Sequence, residues 1–60
     1  SSREIIPRLM REGWILIRTR GSHHIFKHPG RPGMLVVVPH PKKDIPTGTL
    51  ASIMRTAGWR

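Results

Sequence analysis

A two-layer α+β domain, with two helices on one face of a three-stranded antiparallel sheet, is the fold class this chain predicts. Three observations lead there. Apolar residues at helical spacing are confined to the two ends, as Ile5, Ile6, Leu9 and Met10 and as Leu50, Ile53, Met54 and Ala57. The middle holds three short runs of strand-forming residues separated by glycine and proline. A chain of 60 residues has room for a single core, so residues 1–60 are expected to form one domain and both helices must share the same sheet.

The elements follow in order. Ser1 and Glu4 have capping-box spacing, and the apolar stripe behind them predicts a helix over about Arg3–Glu12, stopped by Gly13. Pro7 opposes it, because proline lacks an amide proton and disfavours helical geometry at Ile6. Trp14–Arg18 reads as the first strand, with Trp14 a core residue. Arg20-Gly21 suits a tight turn in which glycine takes positive φ. His23–Lys27 is the second strand, Pro29–Gly33 a loop, and Met34–Val38 the third strand, halted by Pro39-His40-Pro41. A basic loop containing Lys42, Lys43 and Asp44 leads to the last helix, which Gly58 terminates.

Composition narrows the function. Eleven Lys and Arg against three Asp and Glu give a formal net charge of +8. That balance on so small a surface makes a continuous positive field and favours a polyanionic partner. The absence of cysteine removes disulfides and thiolate chemistry and fits a reducing cytosol. The longest apolar run, Met34–Val38, is far short of the roughly 20 residues a membrane span needs, and no signal-peptide pattern is present. The chain opens on Ser1, as a processed or trimmed chain would. A domain this size buries only about 60% of its unfolded surface, so its stability is expected to be modest.

The order of motifs resembles a known family. Gly21-Ser22-His23, then Phe26, then Val38-Pro39-His40-Pro41, then Pro46-x-Gly48-Thr49-Leu50-x-x-Ile53 and Ala57-Gly58 are similar to the HicA toxins, the mRNA interferases of type II toxin–antitoxin systems. The resemblance covers almost the whole chain. It implies a double-stranded-RNA-binding-domain-like fold and an endoribonuclease that cleaves mRNA and inhibits translation. It also implies a HicB-type antitoxin as partner and a bacterial or archaeal cytoplasm as location. The histidine directly after Gly-Ser is the catalytic one in the family pattern, and that residue is His23 here.

Strand alternation reaches the same neighbourhood independently. His24, Phe26 and His28 share one face of the second strand, and His23, Ile25 and Lys27 the other. If Phe26, the only phenylalanine, packs under the helices, His23 and Lys27 face outward. A neutral imidazole can take the proton of a ribose 2′-hydroxyl while a cation holds the phosphate, without a metal. A one-residue register error would exchange His23 for His24, which stays the second candidate. Arg20, Lys27, Lys42 and Lys43 are the expected RNA-binding cations, and Arg18, Arg31 and His40 can extend that surface. Gly21 is expected to serve the turn.

Other chemistries fare worse. Ser22 and His23 are adjacent on a strand and point apart, which excludes a nucleophile–base pair. His24 and His28 lie about 13 Å apart along a strand, too far to share one ion. No metal or other cofactor is therefore expected. Trp14 and Phe26 read as core, leaving little for base stacking on the sheet. None of the three carboxylates, Glu4, Glu12 and Asp44, is an evident general acid. The competing reading is a non-catalytic double-stranded-RNA-binding-type module, which would share the fold and the charge but need no imidazole.

Overall fold

A computed structural model describes residues 1–59; Arg60, the end of the expected domain, lies outside the described residues. The order is α1 (Ser2–Arg11), β1 (Ile15–Arg20), β2 (His23–Lys27), β3 (Leu35–Pro39) and α2 (Thr47–Ala57). The three strands form one antiparallel sheet in the order β1-β2-β3. The expected α+β architecture, with two helices and a three-stranded antiparallel sheet, is the one observed. None of the helices is long and apolar enough to cross a membrane among the described residues.

One core holds the layers together. Phe26, Val36 and Val38 point from the sheet, Ile5 and Leu9 from α1, and Ile53 and Ala57 from α2. Phe26, Leu9 and Val38 are fully excluded from solvent. Each such side chain contributes roughly 1.5–3 kcal/mol relative to an exposed position. Trp14 joins the core as the sequence predicts, but it precedes the strand. Its amide N–H donates to the Leu9 carbonyl at 3.0 Å, closing the end of α1.

Several boundaries move for identifiable reasons. The first helix begins at Ser2 rather than Arg3, with Ser1 as its cap and the Glu4 carboxylate accepting from the Ser1 hydroxyl at 3.0 Å. It runs through Pro7 without a break. Pro7 and Arg3 are both exposed, so the Arg3 carbonyl deprived of its helical partner can be solvated. Met10 is 55% exposed and falls outside the buried stripe, because Ile5 and Leu9 form the packed ridge. The hairpin loop is Gly21-Ser22, not Arg20-Gly21. Arg20 pairs with His23, and Gly21 at φ +57° with no positive φ at Ser22 has the form of a type II′ loop. The third strand is shifted by one residue, to end on Pro39 rather than Val38. Gly58 ends α2 in the left-handed conformation, at φ +80°.

The C-terminal end is fastened by a contact the sequence pattern does not announce. The Trp59 indole N–H donates to Glu12 Oε1 at 2.7 Å. Arg8 Nε donates to Glu12 Oε2 at 3.1 Å, and its guanidinium carbon lies 4.1 Å from the centroid of the Trp59 ring. The indole hydrogen bond, more than Arg8, holds the Glu12 carboxyl below its ordinary value of 4.5. A carboxylate depressed in the folded state stabilises it above the ordinary value and loses that contribution as pH falls through the folded one. Trp59→Phe keeps a ring for Arg8 and removes the donor. In denaturant melts the stability gap between wild type and Trp59→Phe should be present at pH 6 and shrink steadily below about pH 4.5. A gap of constant size across that range would show that the indole–carboxylate bond does not carry it.

Candidate functional site

The candidate site is built by the alternation of β2. Phe26 is buried against the helices, and the face opposite it carries His23, Ile25 and Lys27. His23 and Lys27 are exposed and Ile25 is half-buried. His24 points the other way and is half-buried. Its Nδ1 is buried without a hydrogen-bond partner, and its ring meets that of His40 edge-on, centroids 4.9 Å apart. His28, on the same side, bridges two backbone groups. Gly30 N–H donates to its Nδ1 at 2.9 Å, so Nε2 carries the proton toward the Glu12 carbonyl at 2.7 Å.

A β-bulge completes the outer face. The β1–β2 register runs Ile15↔Lys27 and Leu16↔Phe26, then skips Ile17 to give Arg18↔Ile25, Thr19↔His24 and Arg20↔His23. Uninterrupted alternation would put Arg18 and Arg20 on the same side as Leu16, beneath the sheet. The extra residue at Ile17 re-aims both arginines to the open face. Three rows result across the sheet: Arg20, His23 and Pro39; Arg18, Ile25 and Val37; Ile15, Lys27 and Leu35. No signal in the sequence marks this bulge, since Ile17 is an ordinary strand residue.

The expected cation set is divided by the fold. Arg20 sits directly across from His23. Lys42 joins His23 and Ser22 in lining a cleft of about 660 Å³ between the free edge of β3 and α2. Lys43 lies with Ser1 and Arg3 around a separate depression. Lys27 shares the face of His23 but stands about 13 Å away along the strand, beside His28 and Arg31. Arg31 is directed to the end of α2, where its guanidinium donates to the Thr56 carbonyl at 3.3 Å. The carboxylates lie elsewhere: Glu4 and Glu12 are at the two ends of α1, paired with Ser1 and Arg8, and Asp44 is in the loop before α2. No acidic side chain opposes the positive charge of the sheet face among the described residues. Among the described residues, no three His, Asp or Glu side chains cluster as they would around a metal ion.

His40 has a structural place rather than an exposed phosphate-binding one. Its Nδ1 lies 2.8 Å from Ser2 Oγ, which also accepts the Lys42 N–H at 2.8 Å. Ser2 is fully buried. Its hydroxyl proton therefore goes to His40 Nδ1, satisfying all three groups. The His40 amide donates to the Ser22 carbonyl at 2.6 Å. The start of α1, the loop carrying Lys42 and the hairpin turn preceding His23 are thus tied at one point. Sequence reading misses Ser2 because a serine in a first helical turn is ordinary.

With this geometry in place, the chain can be set against known proteins. A family model described as the HicA toxin of bacterial toxin–antitoxin matches residues 2–59. Among curated proteins, none matches the chain.

The Ser2 knot yields a direct test. Ser2→Ala leaves the Lys42 N–H and the His40 imidazole without this partner in a part-buried position, at a cost of about 1 kcal/mol. Urea denaturation should show that loss, and amide exchange at Lys42 should accelerate. Unchanged stability and exchange would mean that α1 is tied to the loop by the bond from the Ser2 N–H to the Lys42 carbonyl, at 2.9 Å, and not by the hydroxyl.

Proposed function

The chain belongs to the HicA toxin family, the toxin side of a bacterial toxin–antitoxin pair, and on that premise we propose that it is an endoribonuclease acting on mRNA with His23 as general base. The observation that carries this reading is the setting of His23. It is exposed on a face that bears Arg18, Arg20 and Lys27 and no carboxylate, with Arg20 directly opposite it. An imidazole there meets a polyanion without competition.

In the proposed step, the His23 imidazole removes the proton of a ribose 2′-hydroxyl. The 2′-oxygen attacks the adjacent phosphorus, and the bond to the 5′-oxygen of the next nucleotide breaks. The leaving oxygen takes a proton from water, and the products are a 2′,3′-cyclic phosphate and a 5′-hydroxyl. Arg20 and Lys42 hold the negative charge that builds on the phosphoryl oxygens. Lys27 and Lys43 stand farther off and serve neighbouring phosphates, which position the strand without reading sequence. The reaction uses no metal. Inhibition of translation follows from loss of message, and the site of action is the cytoplasm of the cell that makes the toxin. A HicB-type antitoxin silences it by laying an acidic surface over His23, since opposed charge speeds encounter and disfavours other partners.

His24 is the weaker candidate for the base, because it is tucked beside His40 on the helix side of the sheet. The rival non-catalytic RNA-binding module is separated from the enzyme by the same histidine, since phosphate binding tolerates another cation there and proton abstraction does not.

Purified His23→Ala should keep its circular dichroism spectrum and lose RNA cleavage by at least about 100-fold. His23→Arg should retain RNA binding and be equally inactive. Wild-type cleavage should persist in excess EDTA. A folded His23→Ala that cleaves normally, or a dead His24→Ala with its fold intact beside an active His23→Ala, would overturn the assignment. Activity lost to EDTA and restored by a divalent ion would overturn the metal-free step.

A further inference from the structure

The cleft beside His23 has a lining that the catalytic reading leaves unused. It runs between the free edge of β3 and the first turns of α2, with a volume of about 660 Å³. That size lies within the range of small-molecule sites. Val36 and Ile53, both buried, form its floor. Pro39, Pro41 and Pro46 supply rigid apolar walls. Ser22, His23 and Lys42 stand on one side, and the hydroxyl residues Thr49 and Ser52 lie along α2. Gly48 leaves the helix side open: a β-carbon built there meets no atom within 4 Å.

This combination selects a class of occupant. Flat apolar walls suit a planar ring. A few hydroxyl groups that both donate and accept can meet the edge of that ring. A cation and an imidazole beside them suit a phosphate attached to the same molecule. A nucleotide unit has all three parts, and an unpaired base can leave the stack to enter such a site. We propose that this cleft seats one unpaired nucleobase of single-stranded RNA adjoining the phosphate at His23, and that Thr49 and Ser52 are the residues that discriminate among bases. The inference rests on the RNA-cleaving reading and adds to it where sequence preference originates. The open sheet face supplies charge, and its own depression lies at the Lys27 end, away from His23, so it positions the strand, while the cleft selects the nucleotide.

Gly48 gives a test that separates occupancy from folding. Replacing a glycine within a helix by alanine or leucine favours the helix, and the added β-carbon meets no atom within 4 Å. The ¹⁵N-labelled full chain is titrated with a short single-stranded 2′-O-methyl oligoribonucleotide, which cannot be cut by 2′-hydroxyl attack. The amides of Ser22, Gly48, Thr49 and Ser52 should shift. Gly48→Leu should bind at least about tenfold more weakly with an unchanged or raised melting temperature, and Gly48→Ala should fall between it and wild type. Sequencing of cleaved ends should show base preference at the cut altered in Thr49→Val and Ser52→Ala. Shifts confined to Arg18, Ile25 and Val37, no binding, or undiminished binding by a folded Gly48→Leu would each overturn the proposal. So would shifts in the cleft produced only by an acidic antitoxin peptide. The two readings fail separately. Cleft binding without cleavage by wild type removes the nuclease and keeps the cleft. Cleavage with full activity and unaltered preference in Gly48→Leu removes the cleft and keeps the nuclease.

Discussion

Burial of Phe26 is the constraint on which the remaining geometry depends. Its ring fills the space between β2 and the two helices and is fully excluded from solvent. Residues of β2 alternate without a bulge, so committing Phe26 to the core commits His23 and Lys27 to the opposite face. A slip of one residue would drive His23 and Lys27 under the helices and put Phe26 in water. That exchanges a stabilising burial for the desolvation of a cation, a difference of several kcal/mol. The exposure of His23 is therefore enforced by packing rather than left to local preference.

Two smaller irregularities then convert an exposed imidazole into a charged site. The two-residue Gly21-Ser22 loop brings Arg20 opposite His23. The bulge at Ile17 turns Arg18 and Arg20 out of the helix side. On the other side of His23, the cross-tie of Ser2, His40 and Ser22 holds the Lys42 loop against the hairpin. Positive charge thus approaches His23 from a neighbouring strand and from a loop distant in sequence. The core does not require either arrangement, since neither arginine is buried.

Much of this was legible in the chain. The two apolar stripes and the short strands between them predict the layers, and Phe26 predicts the faces of β2. The glycines after α1 and α2 stop both helices as their pattern implies. What was illegible has physical causes. Pro7 reads as a helix breaker, yet its missing bond falls on the solvent side. A bulge carries no composition of its own, so the partnership of Arg20 with His23 had to come from coordinates. His40 reads as one more basic group in a cationic loop, but Ser2, thirty-eight positions away, draws it inward. Above its floor of Val36 and Ile53, the cleft is walled mainly by prolines, a glycine and hydroxyl residues, types that singly signal little beyond a turn or a helix start. Trp59 lies beyond the helix stop, where pattern reading ends.

The central claim is that His23 acts on a ribose 2′-hydroxyl at this positively charged edge of the sheet. The chemistry of the new RNA ends tests it most directly. Mass spectrometry of a single cut oligoribonucleotide should show a 2′,3′-cyclic phosphate on the upstream fragment and a free 5′-hydroxyl on the downstream one. A 3′-hydroxyl paired with a 5′-phosphate would mean that water, not the ribose, attacks the phosphorus, and would contradict the account.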